Sequence, residues 1–354
     1  MKIKRTFALF LCTAVLFCGF TACQPKNNAQ KEANPQAKSY YEYFDTVTVI
    51  FSYANDAPAV FSENCLAVST LLEEYHRLFD IYYEYAGLNN LKTVNLNAGI
   101  APVKVDRKLI DFLLYAKEIH TLTGGATNVA LGSVLTLWHD AREDGVDNPD
   151  AARLPDSDLL TEAAAHTDIN RVIINIEEST VFLEDPAMRL DVGAIAKGYA
   201  TERAAQLLIS RGATSYVLNV GGNLRTIGQK PSGSGWSTGI TNPDKNAENP
   251  FVCKVVLNNG SLVTSGDYER YYLVDGVRYH HIIDPDTNMP AAYFSSVSVF
   301  TEDGGLADAL STALFCMSYA EGLTLIEHLD GVDALWVEPD GTVKNTDGIE
   351  FYND

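Results

Sequence analysis

Cysteines are few, and none of the six stands in a CxxC pair, so the usual zinc and thioredoxin-type signals are excluded. Cys65, Cys253 and Cys316 are widely spaced; they read as small buried hydrophobes, not as a disulfide framework. Positive charge is also scarce. Lys and Arg total 26 against 46 Asp and Glu, a formal net charge of −20. Nucleic-acid backbones are bound by clustered Lys and Arg, so no nucleic-acid partner is expected. No GxGxxG or P-loop run occurs, which weighs against Rossmann and Walker nucleotide sites. A serine-hydrolase triad is not expected, and no carboxylate pair stands out for glycosidase work. Hydrophobic residues make up 46% of the chain, enough for a packed core and too many for a disordered one.

Long apolar runs are missing too. The one near the start, residues 7–20, is shorter than the ~20 residues of a membrane-spanning helix. It follows Lys2, Lys4 and Arg5 and leads into Phe20-Thr21-Ala22-Cys23. A basic start, a short apolar core and small residues before a cut are the marks of a secretory signal. The Cys resembles that of a bacterial lipobox, which implies cleavage before Cys23 and acylation of its thiol; an ordinary signal with an incidental Cys reads the same way. Acylation anchors a chain to a membrane without spanning it. The expectation is a lipoprotein signal peptide over 1–22 and a flexible tether over 23–39, where no large apolar residue offers anything to bury. A folded domain then runs over 40–354, on the extracytoplasmic face of the cell membrane.

The body reads as α+β: mixed sheets and helices without βαβ regularity. Residues 44–51 (FDTVTVIF) alternate as a strand. Residues 62–79 carry helical periodicity, with Ser62 as the cap. Asp106 caps a helix to Leu122 that Gly124 and Gly125 end. Strands are expected over 171–176, 180–183 and 216–220, and a helix over 194–210. Asn259-Gly260 and Asp275-Gly276 are hairpin signals. Helices follow over 306–318 and 320–329, then a closing hairpin over 333–344.

Three segments could carry chemistry. In LDVGAIAKGYA (190–200), Asp191 stands before a helix whose first turn or so brings Lys197, and a helix start with a Lys suits phosphate; an Asp cap on an ordinary amphipathic helix would look the same. In GGLADALSTALFCM (304–317), Asp308 and Thr312 share one face of an apolar helix. A buried carboxylate needs a partner, and no basic residue is near in sequence. A divalent cation with oxygen ligands, Mg²⁺ held together with phosphates, would supply one; so would a backbone donor or a distant Arg. In TSGDYERYYLVDGVRYHHIIDPDTNMP (264–290), His280 and His281 face opposite sides of a strand. His281, near Asp284, is a candidate general base.

These segments, with TGGATNVALGSVLTLWHD, YVLNVGGNLRTIG and the lipobox, stand in one order across the body. Together they resemble the FAD:protein FMN transferase family (the ApbE family). The resemblance implies an α+β fold in two lobes around a flavin-nucleotide cleft. It implies Mg²⁺-dependent splitting of FAD, transfer of FMN to a Thr or Ser hydroxyl of a target flavoprotein of membrane electron transport, and release of AMP. It assigns Asp308, the Thr312 hydroxyl and the Ala194 carbonyl to the metal. Asp191 and Lys197 would hold FAD, Ala126, Thr127 and Asn128 would line its ring site, and Phe44, Tyr82 and the Ile282 backbone would add contacts. His281 would take the proton of the target hydroxyl, positioned by Asp284. Two readings stand beside it: an Mg²⁺-dependent FAD pyrophosphatase giving FMN and AMP, and a non-catalytic FAD-binding lipoprotein. Where many members read GAFDP, this chain has Gly125-Ala126-Thr127-Asn128-Val129, and Asn288 replaces the Gly after DPxT. Asn tolerates a left-handed backbone there.

Overall fold

The computed structural model describes residues 35–54 and 56–352. The signal segment and Cys23 lie outside the described residues. Strand β1 (Gln36–Tyr40) pairs antiparallel with β2 (Thr48–Ser52), so regular structure begins inside the stretch read as tether. The strand expected from Phe44 starts only at Thr48, because Phe44 and Asp45 take φ of 54° and 50° and turn the chain. Helix α1 (Pro58–Phe79) begins ahead of Ser62, since Pro needs no N–H donor in a first turn and brings a helical φ. Helix α2 (Leu91–Leu96) is closed by an Asn90–Thr93 capping box. After β3 (Val103–Lys104), Asp106 caps α3 (Arg107–Leu122) as expected, and Gly124 and Gly125 end it at positive φ.

Helices α4 (Gly132–Asp147) and α5 (Ser157–Ala164) were not anticipated. Next come β4 (Val172–Asn175), β5 (Thr180–Leu183), α6 (Ala196–Ser210), β6 (Tyr216–Val220), β7 (Asn223–Ile227), β8 (Trp236–Thr241) and β9 (Phe251–Leu257). They are followed by β10 (Ser261–Gly266), β11 (Tyr271–Val274), β12 (Val277–His280), β13 (Ile283–Asp284), β14 (Met289–Pro290) and β15 (Ser296–Thr301). Helices α7 (Gly304–Phe315) and α8 (Tyr319–Glu327) precede β16 (Asp333–Val337) and β17 (Val343–Asn345).

One eight-stranded antiparallel sheet, ordered β1-β2-β6-β7-β10-β15-β16-β17, organises the body. Asp275-Gly276 makes the expected hairpin, with both residues at positive φ. Asn259-Gly260 does not: β9 pairs with β8, and β10 pairs with β7 and β15, so this turn passes the chain between sheets. Gly235-Trp236-Ser237-Thr238-Gly239 has GxSxG spacing, but Ser237 lies within strand β8, whereas a nucleophile elbow is a strand-to-helix turn. The described residues cluster as one compact unit, so the contacts do not divide them into the two lobes expected.

Helix α7 lies against β10, β15 and α6. An aromatic knot fixes the other side of α6: Phe79, Phe112 and Tyr199 join α1, α3 and α6, with ring centroids 4.1 Å apart for Phe79–Phe112 and 5.1 Å for Phe112–Tyr199. Each such side chain contributes ~1.5–3 kcal/mol on burial, so the α6–α7 crossing rests on a rigid base. The crossing itself depends on Gly198. A Cβ there would stand 2.3 Å from Asp308 Cβ and 2.4 Å from Gly304 O. Gly198→Ala is therefore expected to destabilise the fold by roughly 1–3 kcal/mol through overpacking. An unchanged urea midpoint would show that the crossing can relax.

Candidate active site

The α6–α7 crossing places the first pair of site residues. Asp308 is 5% exposed, and its Oδ2 accepts a 2.8 Å hydrogen bond from the Gly198 N–H. Burial pushes this carboxyl up, opposed by Lys197 and that N–H. The basic residue missing from its own helix is thus supplied by α6. The one hydrogen bond to this carboxylate among the described residues is the one at Oδ2, which leaves Oδ1 free. One turn along, Thr312 Oγ1 lies 3.5 Å from Ser265 Oγ of β10. No group of three or more His, Cys, Asp or Glu gathers anywhere among the described residues. A cation at Asp308 would rest on one carboxylate and neutral oxygens, a donor set suited to Mg²⁺.

The turn before α6 presents the second group. Asp191 does not cap the helix: the N-cap is Ile195, without a side-chain bond. Instead Asp191 Oδ1 accepts from the Gly193 N–H at 2.9 Å. Its own N–H reaches Val129 O at 2.9 Å, tying this turn to the 126–130 loop. Burial raises its carboxyl, countered by that N–H and by His139, Arg270 and Arg142. Lys197 Nζ donates to Gly193 O at 3.3 Å, closing the turn that carries Ala194. Tyr82, 53% exposed, sets its ring 5.6 Å from that of His139, near Asp191, Arg142 and Arg270.

His281 follows β12 directly. Its N–H donates to Arg270 O at 3.0 Å, and its Nδ1 lies 3.2 Å from the same carbonyl. A carbonyl can only accept, so Nδ1 carries the proton and Nε2 keeps its lone pair. Burial, then Arg270, Arg142, His280 and Lys197, push its pKa down from 6.5 to about 3, so the ring is neutral at physiological pH. His280 turns the other way, as expected: Nε2 donates to Ala291 O at 2.8 Å inside the core.

The hydrogen bonds of several expected site residues run to their own loops and turns. Asp284 does not hold His281; its carboxylate accepts from Asp286 N–H at 2.9 Å and Thr287 Oγ1 at 3.2 Å, bracing its own turn. That turn reaches Asn288 at φ 57°, the left-handed conformation expected of it. Thr127 is buried and donates to Ala309 O of α7 at 2.9 Å. Asn128 donates to Thr167 O and accepts from Ala130 N–H, both at 2.9 Å. The polar groups of both side chains brace the loop, which leaves Ala126 on it half-buried. The Ile282 N–H donates to His280 Nδ1 and its carbonyl accepts from Ala291, so only a second carbonyl lone pair remains. Phe44 packs edge-on to His76 with ring centroids 5.7 Å apart, and no described contact joins it to this group.

His139 and Arg142 of α4 and Arg270 were missed. Arg142 donates to His139 Nδ1 at 3.2 Å, and His139 Nε2 pairs with Glu143 at 3.0 Å. Both contacts follow helical spacing, a signal that only a prediction of α4 would have exposed. In a chain of net charge −20, Lys197, Arg142 and Arg270 converge beside a neutral imidazole. Such a convergence defines a site for an anionic, phosphate-bearing ligand.

Comparison with known proteins agrees with this class. The model of the ApbE family matches residues 45–336. A protein of Treponema pallidum named FAD:protein FMN transferase is 38% identical over 273 residues, covering 73% of each chain. One of the same name from Klebsiella pneumoniae is 32% identical over 281 residues, covering 77% of this chain and 83% of its own. Among solved structures, the ApbE protein of Thermotoga maritima superposes with a TM-score of 0.77 at 28% identity, covering 89% of this chain and 97% of that one. The flavin transferase ApbE of Vibrio cholerae gives 0.72 at 25% identity, with the same coverage. The chain belongs to the ApbE family.

Proposed function

We propose that this chain transfers FMN from FAD to a Thr or Ser hydroxyl of a target flavoprotein. The observation that carries the reading is His281: a neutral ring with Nε2 unprotonated, set among Arg270, Arg142 and Lys197. The hydroxyl oxygen attacks the phosphorus of the FMN half, and its proton passes to His281 Nε2. The bond from that phosphorus to the bridging oxygen breaks, and AMP leaves with the oxygen. Lys197, Arg142 and Arg270 hold the diphosphate and offset its charge. Asp191 orders the turn that carries Lys197. Asp308, the Thr312 hydroxyl and the Ala194 carbonyl would hold Mg²⁺; the free Oδ1 of a buried carboxylate fits that use. When bound, the ion would neutralise charge on the diphosphate.

The test is to mix the exported body with FAD, Mg²⁺ and a Thr-bearing acceptor. A flavin-fluorescent acceptor and one AMP per flavin transferred are expected. A dark acceptor band beside a working positive control would reject the reading. Free FMN formed without acceptor would mark water as the nucleophile, and tight FAD binding without turnover would mark a binding protein.

His281→Ala is expected to slow transfer by roughly 10²–10⁴-fold, the usual worth of a general base, while FAD affinity stays close to wild type. The pH profile adds a second readout. The free ring stays neutral far below pH 6.5, so the acid limb of kcat/KM should fall well below that value. In the complex, diphosphate charge favours imidazolium, so the limb of kcat should lie higher than that of kcat/KM. Identical limbs near 6.5 would contradict the assignment.

The cellular setting belongs to the same proposal. Acylated Cys23 would tether the enzyme to the extracytoplasmic face of the membrane, where a flavoprotein of electron transport is the acceptor. Cys23→Ser should release the protein from the membrane fraction.

A further inference from the structure

Thr312 departs from most of the described helical threonines; Thr93, which donates to Asn90 Oδ1 in its capping box, is the other exception. Thr70, Thr121, Thr136, Thr161, Thr201 and Thr324 each donate their hydroxyl proton to the carbonyl four residues back. Thr312 makes no such bond among the described residues; its oxygen faces Ser265 Oγ at 3.5 Å. Counting protons along the neighbouring hydroxyls gives the reason. Ser311 Oγ donates to Asp308 O at 2.9 Å. A hydroxyl has one proton, so in its 2.9 Å contact with Ser265 Ser311 can only accept. The Ser265 proton is spent on Ser311. At the contact between Ser265 and Thr312, only Thr312 is left to donate.

We infer that Ser265 is a positioning residue for the cation site: it draws the Thr312 proton towards β10 and leaves both Thr312 lone pairs for a hard cation. The relay runs from the backbone carbonyl of Asp308 itself, through Ser311 and Ser265, to Thr312. Of the oxygens assigned to the cation, Thr312 Oγ1 is thereby tied into one hydrogen-bonded chain between α7 and β10, whose other end is the backbone of the residue that carries the carboxylate. A metal ligand whose own hydrogen is aimed elsewhere needs no reorientation when the ion arrives, which is how outer groups tune affinity. The inference rests on the cation reading of Asp308 and Thr312 and deepens it.

The test is a calorimetric titration of Mg²⁺ into metal-free protein, with thermal melts recorded alongside. Ser265→Ala is expected to weaken Mg²⁺ binding by about tenfold, the lower end for losing an outer-shell partner. Ser265→Thr, which keeps the hydroxyl, should bind close to wild type. Ser311→Ala removes the fixed end of the relay and should weaken binding as well, a second route should Ser265→Ala fold poorly. FAD affinity without metal should be the same in all three. Wild-type affinity in Ser265→Ala would overturn the relay while leaving the cation site standing. Equal losses in Ser265→Ala and Ser265→Thr would assign Ser265 to packing and overturn it too. Wild-type protein that takes up no Mg²⁺ would remove the cation reading itself, and the relay with it.

Discussion

Asp308→Ala should abolish FMN transfer, a fall of roughly 10³-fold or more, the scale on which charge-stabilising groups act in a transition state. The substitution removes the buried carboxylate to which Gly198 donates and beside which Lys197 lies. It also leaves the Gly198 N–H without its acceptor, at a cost of about 1–3 kcal/mol if no water reaches it. Loss of activity by Ala alone would therefore mix chemistry with folding. Asp308→Asn separates them, because an amide oxygen can still accept from Gly198 while offering no charge to a cation. The Asn variant is expected to melt near wild type, to bind FAD without metal as wild type does, and to transfer no FMN. Wild type stripped with a chelator should behave likewise and recover on adding Mg²⁺. An Asn variant that still transfers at a substantial rate would end the metal assignment.

What could be read in the sequence was local. Helix α3 between Asp106 and Gly124, the hairpin at Asp275-Gly276 and strand β6 follow from caps, turn residues and alternation within a few residues. What could not be read was decided by partners far along the chain. The partner of Asp308 is Gly198, 110 residues away. Thr127 and Asn128 look like free loop residues until α7 and Thr167 take their hydrogen bonds. Asp284 lies three residues from His281 in sequence, yet the carbonyl at Nδ1 comes from Arg270, the residue before β11 in the paired hairpin. Helix α4 was missed because its first turn carries no cap signal: Leu131 holds the N-cap position without a side-chain bond. With α4 unseen, the arginine–histidine half of the site was unseen too. The family resemblance supplied what spacing could not, namely the expectation that Asp191, Lys197, His281 and Asp308 act together.

The largest expected loss of stability lies at a pair that no local sequence signal singles out. Glu202 of α6 and Arg225 of β7 are each 3% exposed and meet at 2.9 Å. The same carboxylate oxygen accepts from the Gly304 N–H at 3.0 Å, and the other accepts from Gln206 at 2.6 Å. Burial would raise Glu202, but Arg225, Gly304 and Gln206 outweigh it and hold its carboxyl below the usual range. Its stabilisation is therefore present at neutral pH and is lost as pH falls below the ordinary Glu range through this lowered value. Because Gly304 opens α7, this side chain, together with the Asp303 cap, fixes the start of the helix that carries Asp308. Glu202→Ala should cost about 3–5 kcal/mol, chiefly because Arg225 is left buried and unpaired. Replacing both partners together, Glu202→Leu with Arg225→Met, should cost less than the single change, since no lone charge remains. Urea midpoints for the two variants decide the matter: a double variant as unstable as Glu202→Ala would mean that the stranded charge is not the cause. If the double variant regains stability but not Mg²⁺-dependent transfer, the pair's remaining work is to set α7 against α6, and through it the distance between Lys197 and Asp308.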